Sequence, residues 1–118
     1  LVLQPVTSVY KLRVWLAGEG YQIQKERAVR AQGKIYSAMQ VRYIGNIPDP
    51  DPLYPYIGLV WKEKTDEAVE YIRREISRQS KRESGLRIQG KEEQAEEVMR
   101  IIQQMKQRLD DRKKEESM

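Results

Sequence analysis

Cysteine, histidine and phenylalanine are all missing from these 118 residues. Without Cys or His there is no disulfide framework, no thiolate nucleophile, no imidazole base and none of the usual transition-metal ligands, so Ser-His-Asp and Cys-His catalysis is excluded and no metal site is expected. The lack of Cys fits a reducing compartment. No apolar run approaches the roughly 20 residues of a membrane helix, and no signal-peptide pattern opens the chain. A soluble, cytoplasmic protein without membrane contact is the expectation. What is present is 39% hydrophobic and 34% charged residues with a net charge of +4. That is enough apolar material for one small core beside solvated helix, and a charge balance that permits nucleic-acid binding without demanding it.

The chain opens on Leu1, Val2 and Leu3 without an initiator Met. This short apolar run reads as a buried strand of a parallel sheet, and the chain looks cut from something longer. Thr7 or Ser8 offers an N-cap, after which Val9, Leu12 and Leu16 recur at helical spacing, Trp15 widens the stripe, and Gly18 or Gly20 stops the helix. From Tyr21 the period becomes two as far as Ala31. Gln32 and Gly33 form a turn, and residues 35–44 return as a second strand rich in Tyr, Val and Met. Residues 1–45 therefore read as a βαββ unit whose first two strands run parallel.

Residues 46–64 form a connector in which Pro48, Pro50 and Pro52 forbid helix and inner strand, and the apolar stretch from Tyr54 to Trp61 docks it onto a neighbouring surface. Residues 65–118 read as a helical hairpin. Thr65 or Asp66 caps a first helix with a sparse stripe of Val69, Ile72 and Ile76, which Gly85 ends. The second helix carries Ala95, Val98, Ile102, Met105 and Leu109 in strict alternation of three and four, a heptad seam, before a charged tail that frays. On the first helix Arg74, Arg78, Lys81 and Arg82 cluster opposite the stripe, and Arg73, Arg87 and Lys91 extend the basic face. Such a face suits RNA phosphates, or it is an ordinary solvated coiled-coil surface.

Leu1-Val2-Leu3-Gln4-Pro5, Lys11-Leu12-Arg13 with Trp15-Leu16, Gly20-Tyr21 with Ile23, and Gly33-Lys34-Ile35-Tyr36 resemble, in that order, the C-terminal half of the bacterial tRNA (adenine-N1)-methyltransferases that modify adenine 22. Val6 and Val14 depart from the family pattern. The resemblance implies an α/β fold: the C-terminal strands of a Rossmann-like class I methyltransferase sheet, followed by an antiparallel coiled-coil hairpin. It also implies S-adenosylmethionine as methyl donor in the parent protein, tRNA as partner, and a donor site upstream of Leu1, because the family's Gly-rich donor motifs are nowhere in these residues. The fragment alone is then inactive. Adenine N1 holds its lone pair in the ring plane, so methyl transfer needs orientation and charge stabilisation rather than a general base.

Ligands of open α/β sheets lie beyond the carboxyl ends of the parallel strands. Gln4 and Pro5 end the first strand, and the turn at Gln32 and Gly33 returns to the same edge, so Gln4, Pro5, Lys34 and Tyr36 are the substrate-side candidates, with no catalytic residue assigned. The tRNA-side candidates are Arg73, Arg74, Arg78, Lys81, Arg82, Arg87 and Lys91. A non-enzymatic RNA-binding module and a protein-interaction coiled coil remain as alternatives. A bare strand edge and a sparse helical seam predict that the isolated chain dimerises.

Overall fold

The computed structural model of the chain describes residues 2–3, 9–48 and 51–117 and forms two compact units, Leu1–Tyr71 and Ile72–Met118. In the first, strands β1 (Val2–Leu3), β2 (Tyr21–Ala31) and β3 (Lys34–Tyr43) make one sheet in the order β1-β3-β2. Both outer strands pair antiparallel with β3, so β1 and β2 run in the same direction with β3 between them. The turn between β2 and β3 is the two-residue kind expected from Gln32-Gly33, with φ of 52° and 76°. Positive φ at both central residues gives the tight turn whose twist matches that of the flanking strands.

The β2–β3 ladder has one irregularity. Ile23 lies opposite Val41 and Lys25 opposite Gln40, so β2 carries an extra residue between them. Alternation is reset by this bulge. Without it Ile23, Lys25 and Arg27 would share a face; with it the buried residues are Ile23, Glu26 and Ala28, matched on β3 by Ser37, Met39 and Val41. A carboxylate is thereby turned into the interior.

Helix α1 (Val9–Gly18) lays Leu16 on Ile23, Met39 and Val41, with Leu12, Tyr54 and Leu59 packed around them. A fully buried aliphatic side chain of this size stabilises by about 1.5–3 kcal/mol. Trp15 does not widen this stripe. It is 55% exposed, stacked on Tyr21 at a ring distance of 6.1 Å, and the inward position beside Leu16 belongs to Arg13. The N-cap expected at Thr7 or Ser8 lies outside the described residues.

The connector docks through a short helix α2 (Tyr54–Ile57) and a 3-10 turn (Val60–Lys62) that bury Leu53, Ile57 and Val60. Asp51 starts it by accepting the Leu53 N–H at 2.7 Å. Helix α3 (Asp66–Ile88) is capped by Thr65, whose hydroxyl accepts the Ala68 N–H at 3.1 Å. Ala68 and Tyr71 join Ala28, Ile35 and Val60 in a second apolar cluster of this unit.

Gly85 does not end α3. The helix runs through it to Ile88, and the stop is at Gly90, where Lys91 N–H reaches the Leu86 carbonyl at 2.9 Å and Gly90 N–H that of Arg87 at 3.0 Å. That is the paired C-terminal closure which satisfies the last carbonyls of a helix. Helix α4 (Glu92–Ser117) buries Ala95, Val98, Ile102 and Met105 as the heptad predicts, and it includes the stretch expected to fray.

The seam of α3 differs from expectation. Beyond Ile72 its buried positions are Glu75, Gln79 and Glu83, while Ile76 is only half-buried. Their aliphatic stems cover apolar surface and their polar ends are satisfied along the helix. Glu75 accepts from Arg78 and from Gln79, Gln79 from Arg82, and Glu83 from Arg87.

Candidate functional site

The densest polar arrangement in the first unit is built on the bulge. Glu26 accepts hydrogen bonds from Arg13 Nε (3.2 Å) and Nη2, from the Ser37 hydroxyl and from the Leu59 N–H (3.1 Å). The remaining Arg13 donors go to the carbonyls of Pro55 (3.1 Å) and Tyr56 (2.9 Å) and to the Tyr71 hydroxyl (2.8 Å). Arg13 is 1% and Glu26 1% exposed. Helix α1, both long strands, the connector and the first turns of α3 thus meet on a single ion pair. Arg is suited to this because its planar fork holds several acceptors at fixed angles.

Gly58 seals the pair. Its φ is +52°, and a Cβ there would overlap Glu26 Oε1 outright and lie 2.6 Å from Arg13 Nε. Only a residue without a side chain lets the backbone approach this closely. Burial by itself would lower the Arg13 pKa, but Tyr71 and Glu26 together outweigh it and hold the guanidinium more firmly protonated than usual. The neighbouring Tyr54 phenol is pushed up to about 12, first by burial and then by the Glu26 charge, with Arg13 opposing. The Arg13 and Glu26 hydrogen bonds described above all end on protein groups, so the pair serves as a structural anchor.

Of the substrate-side candidates, Gln4 and Pro5 lie outside the described residues. Lys34 is exposed at the first position of β3, opposite Ala31, and Tyr36 is half-buried opposite Val29. By alternation both sit on the sheet face away from Ser37, Met39 and Val41. Leu3 stands opposite Met39, five residues from Lys34, so β1 ends about 17 Å short of the hairpin turn at roughly 3.4 Å per residue.

In the second unit Arg73, Arg74, Arg78 and Lys81 surround Ser77 and line a shallow depression of about 350 Å³. Arg82 and Arg87 stand apart from it. The Arg82 guanidinium donates to Gln79 at 3.3 Å, and Arg87 lies between Glu83 and Glu92, whose carboxylates raise its pKa through hydrogen bonds and charge. Lys91 is exposed in the closure after α3. Four of the seven basic candidates thus line the depression.

The described residues form a three-stranded antiparallel sheet with packed helices, followed by two long helices. Several solved structures are similar to this fold. A protein of the NADB-Rossmann superfamily from Streptococcus agalactiae shares 24% identity over 92% of this chain and 47% of its own, with a TM-score of 0.69. Sp1610 of Streptococcus pneumoniae, solved with S-adenosyl-L-methionine, shares 24% over 92% and 46%, at 0.67. TrmK of M. capricolum, solved with S-adenosyl-homocysteine, shares 20% over 92% and 48%, at 0.64. The chain spans about half the length of each. No curated protein matches it. The family model for tRNA (adenine(22)-N(1))-methyltransferase, TrmK, matches residues 1–111, and the chain belongs to that family.

The described residues do not fit the family's methyl donor. Donor recognition in Rossmann-type folds uses glycines between a parallel strand and the helix it feeds. Here Gly20 joins a helix to a strand, Gly33 closes a hairpin, Gly45 follows β3, Gly58 sits on the ion pair and Gly90 joins two helices. Among the described residues, none of these opens a helix directly after a strand.

Proposed function

We propose that this chain is the C-terminal part of a cytoplasmic tRNA adenine-N1 methyltransferase, supplying the substrate-side edge of the sheet and, along α3, the basic surface that holds tRNA. Support comes from a family match that spans sheet and hairpin alike, and from cations gathered on the exposed side of α3. Gln4, Pro5, Lys34 and Tyr36 are the residues offered to the adenine. S-adenosylmethionine is bound elsewhere in the parent protein, and these residues alone do not methylate.

Two measurements test this. Deleting the gene in its host should remove the reverse-transcription stop that an N1-methyl group leaves at adenine 22 of tRNA; a persisting stop refutes the assignment. Calorimetry of the 118-residue chain with S-adenosylmethionine should give no saturable heat, and specific binding would overturn the division of labour. The isolated chain is further expected to dimerise through β1, which is paired on one edge only among the described residues and has Val2 at 72% exposure. Sedimentation equilibrium at tens of micromolar giving a clean monomer mass refutes that.

A further inference from the structure

We infer that the outer face of the β2–β3 ribbon is a track for the phosphodiester backbone of the tRNA strand whose adenine is offered to Lys34 and Tyr36; this rests on the tRNA reading proposed above. Residues opposite one another in a ladder share a face, and alternate positions along β3 share it too. Arg42 stands opposite Gln22, Gln40 opposite Lys25, Ala38 opposite Arg27, Tyr36 opposite Val29 and Lys34 opposite Ala31. Lys25, Arg27, Lys34 and Arg42 therefore belong to one face, all four are exposed, and no carboxylate occupies that face among the described residues. The apolar clusters of this unit lie on the other side, where α1, the connector and the start of α3 cover Ile23, Ala28, Met39 and Val41.

The bulge sorts the charge. Without its extra residue Glu26 would follow Gln22 outward, and Lys25 and Arg27 would follow Ile23 into the core; with it the acid goes in and both cations come out. Ladder geometry then spaces them along the ribbon. At roughly 3.4 Å per residue, Lys25 and Arg27 stand about 7 Å apart on β2, and Arg42 lies about 27 Å from Lys34 on β3. A polyanion laid along the ribbon thus meets cations over its whole length, and Gln22 and Gln40, beside Arg42 and Lys25, add amide donors. Guanidinium and ammonium groups match the unesterified oxygens of a backbone phosphate. An apolar helix packed here would bury four charges without a counter-ion, which is costly, so the face fits a polyanion.

The test is the triple variant Lys25→Gln/Arg27→Gln/Arg42→Gln of the 118-residue chain, read by anisotropy of labelled tRNA across a potassium chloride series. All three positions are exposed, so the core is untouched. Affinity should fall at least tenfold, and the slope of log affinity against log salt should drop by roughly 0.7–0.9 for each phosphate that the variant no longer holds. A second triple variant, Lys11→Gln/Lys62→Gln/Lys64→Gln, makes the same charge change at exposed positions of α1 and the connector, and should stay within threefold in affinity with its slope unaltered. Equal losses in both variants would make the response one to net charge, and an unaltered slope in the first would mean that no phosphate sits on the face. Either result refutes the track while tRNA binding by the chain stands. If poly-glutamate binds the unaltered chain as tightly as tRNA does and loses that binding in the first variant, the face is a site for acidic protein and the track is refuted. No saturable tRNA binding by the unaltered chain would bring down the tRNA-holding role itself, and the track with it.

Discussion

Replacing Glu26 by Gln changes almost no volume and tests the whole node. The carboxylate receives four donors on two oxygens and offers none. A Gln in its place keeps one acceptor oxygen and turns an NH2 toward either the Leu59 N–H or the cluster of Arg13 and Ser37 donors, so at least one buried donor faces another. An unsatisfied buried donor costs about 1–3 kcal/mol. Arg13 keeps its charge, held firmly by Tyr71 and the carbonyls of Pro55 and Tyr56, but loses the anion that compensated it. Breaking a buried pair from one side costs about 3–5 kcal/mol in all, against about 5–15 kcal/mol for the stability of an ordinary domain. Urea unfolding followed by tryptophan fluorescence is the assay, because Trp15 and Trp61 both belong to the first unit. With a denaturant slope of about 1–3 kcal/mol per molar, the midpoint should fall by at least about 1 M. A loss below about 1 kcal/mol would mean that water reaches the pair and that the reasoning from burial is wrong.

Gly58→Ala should destabilise the same transition by roughly 2–4 kcal/mol, since it adds a left-handed backbone penalty to a displaced ion pair; a near-neutral result refutes the close approach. Arg30→Ala, by contrast, removes an exposed pair with Glu70 at 3.1 and 3.2 Å and should cost under about 1 kcal/mol by the same urea titration. Tyr54 predicts a slope with pH. Its phenol is raised from 10.0 to about 12 in the folded chain, so above pH 10 the unfolded state loses this proton first and stability falls as pH rises toward 12. Tyr54→Phe should narrow the difference in unfolding free energy between about pH 9 and about pH 11, and an unaltered difference would show that the phenol is not held neutral.

Elements whose signal is local could be read in advance. The turn at Gln32-Gly33, the period of two on both sides of it, the Thr65 cap and the α4 heptad all follow from neighbours in sequence. What escaped depends on distant partners. One extra residue in β2 is invisible until β3 is laid beside it, yet it alone turns Glu26 inward, and nothing in Gln24-Lys25 announces it. Arg13 did leave a trace: Val9, Leu12, Arg13 and Leu16 fall at i, i+3, i+4 and i+7, so an arginine occupied an inward helical position and required a buried acid. Gly85 misled because a glycine inside a helix costs only about 1 kcal/mol, which packing along 23 residues of α3 outweighs. The α3 stripe misled because Glu and Gln were counted as surface residues, although their methylene stems serve as core once an Arg one turn further on leads the charge outward. Of the candidate site, the cations near Ser77 were legible from wheel geometry. What the structure adds is the pairing of Arg87 with Glu83 and Glu92.

The acidic character of the α3 seam also restricts which helix can lie against it. Two copies of α3 laid face to face would take the Glu75 and Glu83 carboxylates out of water together with their Arg78 and Arg87 partners, and the desolvation of buried ion pairs can exceed their mutual attraction. Helix α4 presents alanine, valine, isoleucine and methionine at the matching spacing and carries no such conflict. The seam therefore weighs against the pairing of α3 with its own duplicate. A swapped or stacked arrangement of hairpins would have to be built on α4, leaving the cations of α3 exposed in either case.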